Sequence, residues 1–166
     1  MPEKRVLRRS LRAKRQGKAA TTQAGEFIRE EMRHIRKGVH GARSTKQAIA
    51  IGLAKARRAG VELPPPPRGK VSERTRRSAQ RAYAVGHGAP LRSHSTRRSA
   101  VMMRVMKREG HAAASHAALA RQARSAAARR TSAERSAAAE KAARTKGPRE
   151  RSAAARKAAR TRLHSR

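Results

Sequence analysis

The sequence predicts a mostly α-helical protein built on a small helix-loop-helix hairpin, with flexible or conditionally helical basic extensions and no large core. Of its 166 residues only 19 are Leu, Ile, Val or Phe, whereas 36 are Ala, which favours helix but buries little area. Lys and Arg total 44 against 10 Glu, and the resulting net charge of +34 opposes compaction. The composition therefore supplies helix formers but few core residues.

The hairpin is predicted over residues 22–63, where large apolar residues recur at helical spacing. Its first helix is expected to begin with Thr22 as N-cap and to run to about Lys37, with Gly38 as the stop signal. Three glutamates are placed toward the N-terminal end, where the helix dipole favours negative charge: Glu26, Glu30 and Glu31. One stripe of this helix is the candidate core and carries Phe27, Ile28, Met32 and Ile35.

The second helix of the hairpin is predicted to open at a capping box, Ser44-Thr45-Lys46-Gln47, and to end at Gly60. Three of its apolar residues share one face: Ile49, Leu53 and Ala56. Val61 and Leu63 are expected to fold back on the helix pair. The prolines that begin at Pro64 then enforce an extended spacer, so the hairpin should end there.

Basic segments are predicted on both sides of the hairpin. Residues 1–21 form a basic N-terminal arm, and residues 64–72 form a proline-rich linker. Residues 73–110 are expected to hold two related basic helices, because the motif Thr-Arg-Arg-Ser-Ala occurs at 75–79 and again at 96–100.

The C-terminal segment, residues 111–166, is predicted to be an Ala/Arg-rich repetitive tail. Residues 135–146 match residues 151–162 at ten of twelve positions, which indicates duplication of one unit. Ala favours helix there, but the cations project around the whole circumference and leave no apolar stripe. Such a tail should gain helix when phosphates neutralise it, although low-complexity drift is the alternative interpretation.

The run GARSTKQAIAIGLAKARRAG from Gly41 to Gly60, within residues 24–67, resembles a family of short basic bacterial proteins of uncharacterised function. The resemblance implies a bacterial cytoplasmic protein and carries over no catalytic or binding residue. The tail is similar in composition to linker-histone and histone-like tails. It departs from linker-histone tails in being Arg-rich with a single proline, Pro148.

The sequence does not favour an enzyme. It contains no Asp or Cys, no glycine-rich phosphate loop and no Gly-x-Ser-x-Gly motif. Glu30 and Glu31 are adjacent, so they project about 100° apart on a helix and do not face each other as an acid-base pair. His34 and His40 flank the helix stop, and no pair of histidines has i, i+4 spacing with a third ligand nearby. We therefore expect no catalytic residue, no metal and no cofactor.

The basic charge predicts a nucleic-acid partner, because a charge of this size along the whole chain is typical of proteins that neutralise a polyanion. The aromatic residues are Phe27 and Tyr83 alone, so the stacking platforms that read single strands are missing. The function expected is sequence-tolerant binding of double-stranded DNA through its phosphates. The protein would act as a histone-like, nucleoid-architectural protein in the bacterial cytoplasm.

Two other functions stay open at this level. An RNA-binding or ribosome-associated protein would share the Arg-rich extensions, because phosphate chemistry is common to both polymers. A helix-turn-helix transcription factor would use the hairpin and present Thr45, Lys46, Ala50 or Lys55 to a groove. Its connection from Gly38 to Ser44 would be longer than the usual three to four residues.

The hairpin could also bind a protein partner or a second copy of the chain. No membrane partner is expected, since the sequence lacks a run of about 18 apolar residues. The predicted nucleic-acid-binding residues are Arg43, Lys46, Lys55, Arg57, Arg58, Arg76, Arg77, Arg97, Arg98, Arg124, Arg129, Arg130, Arg135, Arg151, Arg156, Lys157 and Arg160.

Overall fold

The computed structural model describes residues 2–90 and 95–164, and this part of the chain holds seven α-helices, one 3-10 turn and no strand. The mostly helical fold class is confirmed. In chain order the helices are α1 (Lys4–Arg15), α2 (Ala20–Arg36), α3 (Thr45–Arg58), α4 (Glu73–Gly86), α5 (Thr96–Arg108), α6 (His116–Ala128) and α7 (Ser132–His164), with the 3-10 turn at Ala112–Ala114.

The chain divides into two compact units, residues 1–122 and residues 123–166. The second unit contains α7, which is two helical stretches joined at Gly147, where φ is 61° and the backbone is not helical. Pro148 follows directly and cannot donate a backbone hydrogen bond. The break lies between the two copies of the Ala/Arg unit, so each copy forms its own helical stretch.

Close packing of α2 against α3 organises the first unit. A Cβ at position 52 would lie 2.8 Å from the Cα of Ile28, so glycine allows the two backbones to approach more closely than any side chain would permit. Ser44 caps α3 as expected, its Oγ accepting from the N–H of Gln47 at 3.2 Å. One buried cluster at this contact comprises Met32, Ile35, Ala42, Ala48, Ala113 and Ala114.

A second buried cluster brings α1 onto the helix pair and comprises Val6, Ala24, Phe27, Ala56 and Val61. Val6 is only 1% exposed, and Ser10 and Ala13 on the same face of α1 are also buried. The prediction of a small hairpin with flexible extensions is therefore wrong for residues 1–21. Val6, with Leu7 beside it and small residues on the same face, is enough to dock this basic helix, because small residues let the helices approach closely.

The end of α3 is fixed by Arg57, which the sequence placed among the nucleic-acid-binding residues. Its Nε donates to the carbonyl of Leu63 at 2.9 Å and its Nη2 to the carbonyl of Pro64 at 3.3 Å. Burial lowers the pKa of the Arg57 guanidinium below its usual value. These bonds hold the segment after Gly60 against α3 and bring Val61 into the core.

The helix α4 packs against α3 through Ala79, Ala82 and Gly86. The contact is closest at Gly86, where an added Cβ would overlap the carbonyl oxygen of Arg57. Residues 64–72 therefore lie inside the first compact unit, between two helices that contact each other.

Chain beyond α4 also returns to the core. The N–H of Gly41 donates to the carbonyl of Met106 at 2.8 Å, and Thr45 Oγ1 donates to the carbonyl of Ala113 at 2.7 Å. Ala114 is fully buried, and its carbonyl accepts from Arg36 Nε at 2.8 Å. The start of the predicted tail is thus part of the packed unit, because small alanines fit between α2 and α3 where larger side chains would not.

None of the helices within residues 2–90 and 95–164 combines the length and the apolar character needed to cross a membrane.

We predict that Gly86→Ala lowers the free energy of unfolding by roughly 1–3 kcal/mol, because the new methyl group would meet backbone rather than a movable side chain. Gly25→Ala is the matched control. It lies within α2 with no heavy atom within 4 Å of the added Cβ, so it should stabilise by up to about 1 kcal/mol. Urea unfolding of both variants checks this, and a stabilised Gly86→Ala would contradict the observed α3–α4 packing.

Candidate nucleic-acid interface

Most of the predicted nucleic-acid-binding residues are exposed. On the first unit, the exposed ones are Arg43, Lys46, Arg58, Arg77, Arg97 and Arg98. On the second unit they are Arg124, Arg129, Arg130, Arg135, Arg151, Arg156, Lys157 and Arg160. Cations on the stretches of α7 occur on all sides of the helix, and no apolar face accompanies them.

Several of the predicted residues make contacts within the protein, among them Arg77 with Glu73 at 3.4 Å, and three of these residues are also partly or fully buried. Lys55 Nζ lies 2.7 Å from Oε2 of the buried Glu31, and Arg57 is 7% exposed. Arg76 makes a two-point contact with Glu73, with nitrogen–oxygen distances of 2.9 and 2.8 Å. Hydrogen bonding from Arg76 holds the pKa of Glu73 at about 2. We therefore leave these three cations out of the candidate interface.

Several of the acidic residues in the first unit are buried or paired with nearby cations. Glu30 and Glu31 are fully buried, and Glu26 accepts from Arg29 Nη1 at 2.8 Å. Glu3 is paired with Arg5. Because these carboxylates lie inside or are neutralised locally, the exposed Arg and Lys dominate the potential around the molecule.

The environment of α3 does not favour the helix-turn-helix interpretation. This helix packs against α2 on one side and α4 on another. Of the four residues that would enter a groove, Thr45 is 7% exposed and Lys55 is paired with Glu31, which leaves Lys46 and Ala50 exposed. A recognition helix needs one continuous exposed face, whereas most of the surface of α3 is packed against neighbouring helices.

The helix α5 has a different surface. None of its residues is buried, and its large apolar side chains are half exposed: Val101, Met102, Met103 and Val105. Basic residues alternate with them along the helix, including Arg97, Arg98 and Arg104. The sequence placed self-association on the hairpin, where Val39 is exposed, whereas four of the exposed large apolar residues lie together on α5. Self-association stays a prediction.

A partly buried group of carboxylates and imidazoles, here called the Glu-His cluster, lies where α1, α2 and the following loop meet. It comprises Glu3, Glu30, Glu31, His34 and His40. His40 Nε2 lies 3.2 Å from Glu31 Oε1, and His34 Nε2 lies 3.2 Å from Glu3 Oε1. Histidine spacing alone missed this group, because its members come from three segments of the chain.

Residues 15–67 match a family of unknown function, DUF6496. The matched 53 of the 166 residues include α2, α3 and the prolines that follow. The predicted resemblance to an uncharacterised family is confirmed to this extent. No curated protein and no solved structure matches the chain significantly.

A second acid–histidine contact joins α4 to the segment after α3. Tyr83 Oη donates to Glu62 Oε2 at 2.8 Å, and His87 Nε2 lies 2.9 Å from Glu62 Oε1. The rings of Tyr83 and His87 stack with centroids 3.9 Å apart. Hydrogen bonds to the Tyr83 carbonyl and to Glu62 raise the pKa of His87. The hydrogen bond from His87 in turn lowers the pKa of Glu62.

We predict that this contact weakens as the pH rises. A raised His87 pKa means that its contribution to stability is complete below the ordinary value of 6.5 and is lost as the pH rises through the folded-state pKa. Glu62→Gln should lower the His87 pKa and flatten this dependence. Nuclear magnetic resonance titration measures the His87 pKa in the wild type and in Glu62→Gln, and urea unfolding at several pH values measures the dependence of stability. An unchanged His87 pKa in Glu62→Gln would exclude the charged pair.

Proposed function

We propose that the protein binds double-stranded DNA with little sequence preference, through its phosphates, as a histone-like architectural protein of the bacterial nucleoid. The observation that carries the proposal is the net charge of +34, borne by exposed Arg and Lys while much of the acidic charge is buried or paired. Arg outnumbers Lys by 33 to 11, and the planar guanidinium makes two-point contacts with phosphate.

Backbone binding accounts for the surface better than base reading does. Phe27 is fully buried in the core, and Tyr83 donates to Glu62, so neither aromatic residue supplies an open stacking platform. The helix α3 is covered by its neighbours, which removes the most direct candidate for insertion into a major groove. Contacts from exposed cations require neither feature.

The Ala/Arg helices of the second unit suit the same role. Each copy of the twelve-residue unit spans about 18 Å as a helix, at about 1.5 Å per residue. Duplex DNA carries one phosphate per about 1.7 Å of its axis, so each stretch faces many phosphates. The non-helical Gly147 between the copies lets each stretch follow its own part of the backbone. Repulsion among the cations disfavours helix formation in the free protein, and neutralisation by phosphates removes this repulsion.

We predict that affinity for duplex DNA falls steeply with salt. Each neutralised phosphate contributes about −0.9 to the slope of log K against log salt, so a slope steeper than about −6 is expected. Fluorescence anisotropy of the nuclease-treated protein measures it on matched duplex DNA, duplex RNA and single strands. Preference for duplex RNA would favour the RNA-bound alternative, and a slope shallower than about −2 would exclude phosphate binding altogether.

Replacing Arg124, Arg129, Arg130 and Arg135 together by Gln should reduce this slope by up to about 4, because four cations are lost without loss of helix propensity. The matched control replaces the same four by Lys and should keep the slope. If the Gln variant has the slope of the wild type, these residues do not contact phosphate.

We also predict that helix in the second unit is coupled to binding. Ala138→Gly and Ala154→Gly occupy equivalent positions in the two copies, and each should cost about 1 kcal/mol of helix stability. DNA affinity of the double variant should therefore fall by more than tenfold, while Ala138→Gln with Ala154→Gln should keep it. Circular dichroism should show added helix on saturation with DNA, and equal affinity of both double variants would exclude the coupling.

A further inference from the structure

The buried glutamates of the Glu-His cluster carry more negative charge than their neighbours balance. Glu30 and Glu31 are 0% exposed. Glu30 Oε1 accepts from the N–H of Glu3 at 2.7 Å, but its Oε2 has no hydrogen-bond partner. Lys55 reaches Glu31 Oε2 at ion-pair distance and, among the residues that the structure describes, is the one ammonium group at this pair. A buried carboxylate is costly unless it is paired or binds a cation, so Glu30 calls for a further positive charge.

The orientation of His40 indicates a position for a positive charge beside Glu31, the residue next to Glu30. Its Nδ1 lies 3.0 Å from the carbonyl of Gly41, and a carbonyl can only accept, so Nδ1 carries the proton. In neutral His40 the lone pair of Nε2 then faces Glu31 Oε1 at 3.2 Å. Two lone pairs at this distance need a positive charge between them, either a proton on Nε2 or a metal ion. Donation from one ring nitrogen to a backbone carbonyl is the usual support for a histidine that binds metal through the other.

The spacing of the donor atoms also fits a metal ion. Two ligands that bind zinc tetrahedrally at about 2.0–2.1 Å are about 3.3 Å apart. The nitrogen–oxygen distances of 3.2 Å for His40 with Glu31 and for His34 with Glu3 are close to that value. Two groups of three donors overlap at His34, one with Glu31 and His40 and one with Glu3 and Glu30, and within each the donor atoms lie within 4.8 Å of one another.

We propose that the Glu-His cluster binds one divalent transition-metal ion, with His34 and His40 as nitrogen donors and the buried Glu31 as the oxygen donor. Two imidazoles with carboxylates suit zinc and the neighbouring first-row metals, whereas calcium and magnesium prefer oxygen donors alone. Pairing of Lys55 with Glu31 Oε2 leaves Oε1 for the metal. The ion would tie α2, through Glu31 and His34, to the loop that leads to α3, through His40.

The test uses the full-length protein after removal of metal with a chelator and of nucleic acid with nuclease in high salt. Equilibrium dialysis against zinc chloride should leave about one zinc ion per chain, and thermal unfolding should shift upward by several degrees when zinc is added. No retained zinc and no shift would overturn the proposal.

Variants locate the ion. His40→Gln and Glu31→Gln should each weaken zinc binding by at least about tenfold, since each removes a donor of the group formed by Glu31, His34 and His40. His116→Gln is the matched control, because His116 is exposed at the start of α6 and outside the cluster, and it should bind zinc as the wild type does. Equal zinc binding by His40→Gln and the wild type would overturn the proposal.

A spectroscopic measurement on the wild type covers the case in which the cluster variants do not fold. Cobalt(II) replaces zinc at nitrogen–oxygen sites and absorbs strongly in the visible range only when its coordination number falls below six. Intense visible bands that saturate at about one equivalent and disappear on addition of zinc are expected. Weak absorption typical of the hydrated ion would overturn the site without reference to any variant, and neither outcome depends on DNA binding.

Discussion

Gly52 places the backbone of α3 directly on α2 at Ile28, and the remaining packing of the first unit follows from that close approach. Dispersion attraction depends on the density of atomic contact rather than on side-chain size, so helices in close contact gain stability from Ala and Gly. Ala48 and Ala56 are both fully buried along the same face of α3. A chain with few large apolar residues thus builds a core by bringing its backbones together.

Buried acidic groups extend this arrangement to neighbouring segments. Glu30 accepts from the backbone of Glu3 and so fixes the start of α1, while Glu31 contacts Lys55 of α3 and His40 of the loop. These carboxylates connect segments through hydrogen bonds and ion pairs, a role that apolar contacts have in most protein cores. Placing them inside also separates the charges, because the negative groups bind within the molecule and the cations stay on its surface. Burial of Glu30 and Glu31 therefore contributes both to the stability of the fold and to the positive charge of the surface.

Local rules predicted part of this structure. The apolar stripe of α2 and the Ser44 cap follow from residue spacing within one segment, and both are present. Docking of α1 could not be predicted in that way, because Val6 acquires a partner only through tertiary contacts. Charge alone also placed Lys55 and Arg57 in the interface, since sequence does not distinguish a cation that pairs inward from one that faces solvent. The Glu-His cluster was missed because its members come from three segments of the chain that only the tertiary fold brings together.

Electrostatic repulsion links the stability of the protein to its proposed partner. Exposed cations repel one another and favour expansion, and a polyanion that binds the folded form relieves this repulsion and stabilises the fold by mass action. Salt acts on the two effects in opposite directions, because it screens repulsion within the free protein while it weakens binding to phosphates. The free protein should therefore be stabilised by moderate salt, whereas its complex loses stability under the same change. The buried glutamates limit the repulsion from inside, where bulk salt does not screen them.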